Sequence, residues 1–137
     1  MLPVNPPRYP LILNPRARSD RAERALRFVM ENATRFAIYA SNSPEEAAIY
    51  HGFCFVSFEM GAFTGFVEQD TPPTGKKGVE PGEAARGMLE TLEELREDVS
   101  GDEEDMEFIA LDKAVAFISA TLGDFQHYLN EAGEGIS

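Results

Sequence analysis

Apolar positions recur with helical spacing in three stretches of the chain. Each stretch places apolar side chains three or four residues apart, which is typical of a helix with one buried face. The pattern predicts helices over 20–32, over 83–99 and from Asp112 towards the C-terminus. A shorter helix is predicted to begin after Ser43, because Ser43 can cap it and Pro44 takes the first helical position.

Shorter apolar runs between these helices are typical of β-strands. The predicted strands are Tyr9–Leu13, Arg35–Ser41, Phe53–Glu59, Ala62–Glu68 and Met106–Leu111. The third and fourth runs are rich in phenylalanine and flank a Met-Gly pair, so they are predicted to form a hairpin. The first two strands, with a helix between them, predict a right-handed βαβ unit at the N-terminus.

Together these elements predict one α/β (or α+β) domain over residues 1–137. In this interpretation a central sheet of about four or five strands carries the aromatic hairpin, and two C-terminal helices pack on the sheet. The segment 70–82 contains three prolines and three glycines and is predicted to be a flexible loop. A subdivision into a βαβ unit at 1–50 and an acidic part at 51–137 is the alternative organisation.

Charge is distributed unevenly along the chain. Residues 1–50 carry seven Arg and five Asp or Glu, whereas residues 51–137 carry five Lys or Arg and nineteen Asp or Glu. With a formal net charge of −12, the chain is expected to repel nucleic acid and anionic membranes and to attract basic protein surfaces. No apolar run reaches the roughly 18 residues that span a bilayer, and the N-terminus lacks a signal-peptide pattern, so a cytoplasmic location is expected.

A polar loop with two arginines follows the first predicted strand and precedes the first helix. Its sequence is Leu11-Ile12-Leu13-Asn14-Pro15-Arg16-Ala17-Arg18-Ser19. This strand and its Asn-Pro-x-x-G/S turn resemble the opening of the diacylglycerol kinase-like lipid kinase catalytic domain, and the resemblance extends over about residues 9–48. It implies a nucleotide-binding lobe with a phosphate role for Asn14, Arg16 and Ser19.

The same loop is a predicted anion site on physical grounds. The free N–H groups of a helix N-terminus and the guanidinium groups of Arg16 and Arg18 both favour a bound anion. The predicted anion-binding set is therefore Asn14, Arg16, Arg18 and Ser19. The family's glycine-rich GGDGT motif has no counterpart in 53–61, so the triphosphate cradle of an active kinase is not predicted.

No catalytic residue, metal site or cofactor is predicted elsewhere, and enzymatic activity is not favoured. His51 and Cys54 are three residues apart, but Cys54 is expected to be a small buried side chain. His127 lies among apolar residues of the last helix and is expected at its surface or at the edge of the core. The acidic run 97–107 does not fit a calcium-binding loop, because Glu103 stands where that loop requires glycine.

The favoured hypothesis is a non-enzymatic acidic binding protein of immunity, inhibitor or adaptor type, which contacts a basic protein partner through its C-terminal half. The predicted contact residues are Glu90, Glu93, Glu94, Glu97, Asp102, Glu103, Glu104 and Asp105. The alternative is a nucleotide- or phosphate-binding domain derived from a lipid-kinase-like fold, which would use the 14–19 loop. A third hypothesis is a homo-oligomer joined through the apolar stripe of the helix at 83–99.

Overall fold

The chain folds into α-helices throughout the part that the computed structural model describes, residues 20–76, 78–99 and 106–132. The helices are α1 (Asp20–Phe36), α2 (Pro44–Phe58), α3 (Met60–Gln69), α4 (Glu83–Asp98), α5 (Met106–Ala120) and α6 (Leu122–Ala132). A single turn of 3-10 helix follows α1 at Ala37–Tyr39. These ranges contain no β-strand, so the predicted α/β (or α+β) fold with a central sheet is wrong.

Two of the helices are central to the packing. Helices α2 and α5 each contact every other α-helix, whereas α1 and α3 form one outer pair and α4 and α6 form another. No Cα atoms of the two outer pairs lie within 8 Å of each other. The middle of the core is aromatic: the ring of Phe55 lies 5.9 Å from that of Phe117 and 5.2 Å from that of Phe125. Phe63 from α3 reaches the same cluster, with its ring 5.8 Å from Phe117.

The predicted aromatic hairpin is instead a pair of helices. Residues 53–58 form the second half of α2, residues 62–68 lie in α3, and Met60 is the first residue of α3 rather than part of a β-turn. The two helices meet at Glu59, whose backbone N–H donates to the Phe55 carbonyl and whose carbonyl accepts from the Phe63 N–H. The strand prediction failed because α2 has neighbours on several sides. Apolar side chains around the whole helix remove the one-sided periodicity that identifies a surface helix.

Two further predicted strands are also helical. Arg35–Ser41 comprises the end of α1, the 3-10 turn and the residues after it, and Ile38 in this segment is 75% exposed rather than buried in a sheet. Met106–Leu111 is the first part of α5, so Asp112 lies inside that helix and does not cap it. The βαβ unit is therefore wrong, because α1 is followed by a further helix. The first predicted strand, Tyr9–Leu13, lies outside the described residues.

The predicted starts of α1, α2 and α4 are confirmed, as are the apolar faces predicted for α1 and α4. Ser43 is the N-cap of α2: its hydroxyl oxygen accepts a hydrogen bond from the Glu46 N–H at 3.1 Å, and Pro44 is the first helical residue. The apolar face predicted for α1 is buried, although the helix continues beyond Asn32 to Phe36. Helix α4 lies within one residue of its predicted bounds.

The described residues of the segment 70–82 form no regular element, and two of their backbone N–H groups are hydrogen-bonded to side chains of α6. The buried carboxylate of Asp124 accepts the Lys76 N–H at 2.9 and 3.1 Å, and the Gln126 side chain accepts the Gly82 N–H at 2.6 Å. A Cβ atom at Gly123 would lie 2.3 Å from the Val79 carbonyl oxygen, so the approach of this segment to α6 depends on glycine there. The flexibility of the segment stays a prediction.

Candidate protein-interaction surface

The predicted anion site cannot be placed in this fold. Asn14, Arg16, Arg18 and Ser19 lie outside the described residues. The βαβ unit that would have presented them is absent from the described part of the N-terminal region, where α1 leads through a 3-10 turn into α2. What the structure does display is acidic and aromatic surface on α2, α4 and α6.

The most regular charged feature is a line of exposed glutamates on α4. It comprises Glu83, Glu90, Glu94 and Glu97, which we call the glutamate row. At 100° per residue these positions fall within about 60° of one another around the helix, and they span about 21 Å at 1.5 Å per residue. The opposite face of α4 holds its two fully buried side chains, Ala85 and Leu92. The buried face therefore fixes which face of α4 the row presents to solvent.

The glutamate row forms no salt bridge within the described part of the protein, although exposed Arg86 borders it. The nearby Arg96 pairs with Asp112 at 3.7 Å. Three predicted contact residues, Glu90, Glu94 and Glu97, thus share one exposed line, while Glu93 is half-buried beside it. Glu83 extends the row and was missed, although its spacing of seven residues from Glu90 is visible in the sequence. The other predicted contacts, at 102–105, lie outside the described residues.

A groove of about 370 Å³ lies between the end of α2 and helix α6. We call it the α2–α6 groove, and it is lined by Phe55, Phe58, Glu59, Asp124, His127, Tyr128, Glu131 and Ala132. Its most exposed aromatic residue is Phe58, with 71% of its surface in solvent. The ring of Tyr128 lies 5.8 Å from Phe58 and 5.7 Å from the buried Phe55. The groove therefore combines an aromatic wall with carboxylates.

Sequence reasoning missed this groove. The sequence pattern places Phe58 in a hairpin strand and gives Tyr128 no link to it. One signal was present: Phe58 ends an apolar run and is followed directly by Glu59. That signal marks the end of a buried element but does not identify the helix that lies across from it.

The thiol of Cys54 lies next to the groove and is not activated. Burial raises the pKa of Cys54, and hydrogen bonding to Tyr50 and Tyr128 offsets only part of that rise. Burial is also the main reason that the pKa of Tyr128 is raised to about 12, and the neighbouring Cys54 and Tyr50 add to it. His51 packs against the Tyr50 ring at 4.9 Å. Because a thiolate is the reactive form, a raised thiol pKa disfavours nucleophilic chemistry at neutral pH.

Among the described side chains, no group of three or more His, Cys, Asp or Glu residues could hold a metal ion. None of the helices in the described ranges is long and apolar enough to cross a membrane.

Comparison with known proteins identifies the family. Residues 28–132, most of the chain, match the family model described as vWA-MoxR associated protein middle region (VMAP-M) 5. No curated protein and no solved structure matches the chain. The match replaces the resemblance to lipid kinases, which rested on a short loop motif and on two predicted strands; the one that lies in the described region, Arg35–Ser41, is not a strand. The chain belongs to the VMAP-M 5 family of vWA-MoxR associated protein middle regions.

Proposed function

We propose that this chain is a non-enzymatic protein-binding module whose glutamate row contacts a basic surface of a protein partner. The observation that carries the proposal is the row itself: four exposed carboxylates lie along one face of α4, and none forms a salt bridge with a described residue. A basic partner would supply the missing positive charge. Complementary charge of this kind speeds encounter and fixes the orientation of two proteins.

The family description supports a choice of partner. It names proteins associated with vWA and MoxR, and it places the matching segment in their middle region. We therefore propose that the glutamate row binds the vWA protein or the MoxR protein of the same system. The acidic character of the whole chain favours such an encounter, because long-range attraction is summed over the full net charge of −12.

The test is a titration of the 137-residue chain with each purified partner, followed by calorimetry, at low and at high salt. We expect the affinity to fall steeply between about 50 mM and about 300 mM NaCl, because salt screens exposed charges. A variant that combines Glu90→Lys, Glu94→Lys and Glu97→Lys should bind about tenfold or more weakly.

The matched control combines Glu31→Lys, Glu45→Lys and Glu80→Lys, which are exposed glutamates outside α4. Both variants change the net charge by the same amount, so only the position of the charge differs. We expect the control to lose no more than about threefold in affinity. Equal losses for the two variants, or binding that does not respond to salt, would show that the row is not the contact surface.

A further inference from the structure

We infer that the α2–α6 groove binds the side chain of an arginine presented by a protein partner. This goes beyond the proposed function, because the groove and the glutamate row lie on different helices and either can fail without the other. The inference rests on three features of the groove: an exposed aromatic wall, the carboxylates of Glu59 and Glu131, which bond to no described residue, and the absence of any lysine or arginine among the described residues that line it.

The aromatic wall is the first feature. Phe58 is the larger of two strongly exposed apolar side chains in the described ranges, the other being Ile38. Unlike Ile38, it lies beside a second aromatic ring, that of Tyr128, at 5.8 Å and an interplanar angle of 46°. The two rings contact each other, and with 71% of its surface in solvent Phe58 keeps ring surface open to a ligand. A guanidinium group is planar and weakly hydrated, and it stacks on the face of an aromatic ring.

The carboxylates are the second feature. Glu59 follows Phe58 directly, and Glu131 lies one helical turn beyond Tyr128 on α6. Neither side chain forms a salt bridge or hydrogen bond within the described region, whereas the third carboxylate, Asp124, already accepts the Lys76 N–H. Glu59 and Glu131 therefore supply oxygen acceptors on both helices that border the groove.

The combination selects a cation over other ligands. An anion would be repelled by the carboxylates, and a wholly apolar group would take them out of water without a partner, which is costly. A lysine ammonium would satisfy the charge, but it lacks the flat, forked donor set that can stack on a ring while binding a carboxylate with two N–H groups. Arginine fulfils both requirements with one side chain.

The experiment uses a capped five-residue peptide, Gly-Ser-Arg-Ser-Gly, and the same peptide with citrulline in place of arginine. Citrulline keeps the shape of the side chain and removes its charge. The full 137-residue chain, labelled with nitrogen-15, is titrated with each peptide and followed by amide chemical shifts. We expect the arginine peptide to shift the amides of Phe58, Glu59, Tyr128 and Glu131 and to bind about tenfold more tightly than the citrulline peptide.

Variants of the groove locate the binding. Phe58→Ala should weaken the arginine peptide about threefold to fivefold, the effect expected for loss of an exposed cation–π contact. Glu59→Gln combined with Glu131→Gln should remove most of the preference for arginine over citrulline. The controls are Ile38→Ala, an equally exposed apolar side chain elsewhere, and Glu31→Gln combined with Glu80→Gln. Neither control should change the affinity.

Three results would overturn the inference. The first is equal binding of the arginine and citrulline peptides. The second is chemical-shift changes confined to α4, which would support the glutamate row and exclude the groove. The third is a dimer detected by light scattering that Phe58→Ala dissociates, because the groove would then be a contact between two copies of this chain. Conversely, loss of partner binding in the glutamate-row variant with unchanged peptide binding would support both sites independently.

Discussion

The outer helices α1 and α4 bury one face each, whereas the inner helices α2 and α5 bury side chains on several sides. In α1 the buried residues follow helical spacing, at Ala22, Ala25, Leu26, Val29 and Ala33. In α5 the buried residues, from Ile109 to Ile118, spread over about 240° around the helix at 100° per residue, against about 100° in α1. Burial over so wide an arc requires neighbours on several sides, and α5 contacts every other helix. One-sided apolar periodicity therefore identifies the outer helices α1 and α4. Where that periodicity is lost, as in α2 and the first part of α5, the apolar run resembles a strand, and the short outer helix α3 was mistaken for a strand as well.

The largest expected difference in stability is between the alanine variants of two phenylalanines that lie three residues apart on α2. Phe55 is 1% exposed and Phe58 is 71% exposed. Phe55→Ala should lower the free energy of unfolding by about 3–5 kcal/mol, because it leaves a cavity between α2, α5 and α6. Phe58→Ala should lower it by less than about 1 kcal/mol. Urea denaturation of both variants measures the difference, and similar losses would contradict the helical register of α2.

Two glycines, one on an inner and one on an outer helix, should respond to alanine with opposite signs. A Cβ at Gly52 of α2 would lie 2.7 Å from Leu92 Cδ1 and 3.2 Å from Ile118 Cδ1, and both of those side chains are fully buried. Gly52→Ala should therefore destabilise the protein by about 1–2 kcal/mol through overpacking. A Cβ at Gly87 of α4 meets nothing within 4 Å.

For Gly87→Ala we expect a gain of up to about 1 kcal/mol, since alanine loses less backbone entropy than glycine on forming a helix. Thermal melts of the two variants give the sign directly. If both substitutions stabilised the protein, the packing of α2 against α4 and α5 around Gly52 would be looser than the structure indicates.

The smallest expected effect on stability comes from the ion pair between Asp70, which follows α3, and Lys113 of the inner helix α5. Lys113 lowers the pKa of Asp70 below its ordinary value of 3.8. The pair therefore stabilises the fold above the ordinary pKa, and this contribution is lost as the pH falls through the lowered value. Asp70→Asn should melt slightly below the wild type at about pH 7, and the difference should shrink as the pH falls below the ordinary pKa of the carboxyl group.

Asparagine is a suitable replacement at this position because residue 70 has a positive φ of 56°, which asparagine tolerates. The control is the same substitution in a Lys113→Met background, where it should have no effect at neutral or at low pH. A difference in melting temperature that persists at low pH would assign the effect to the backbone turn rather than to the charge pair.

The candidate surface was predictable only in part. The glutamates of α4 could be placed on one face from the sequence, because α4 is an outer helix whose apolar stripe defines its exposed side. The α2–α6 groove could not, since it joins Phe58 to Tyr128, which is seventy positions later in the chain. The same limit applies to Asp124, whose partner, the Lys76 N–H, lies in a segment without regular structure.

The sequence by itself determined the elements whose causes are local. Ser43 and Pro44 start α2, one-sided apolar spacing defines α1 and α4, and the excess of carboxylates makes the C-terminal part acidic. Only the tertiary structure decided that the phenylalanine-rich runs are helices. A short apolar run that is covered on several sides is equally compatible with a buried strand and with a buried helix. Backbone hydrogen bonds are made in both cases, so packing against the other helices decides between them. That packing also left Phe58 in solvent and placed Phe55 in the core.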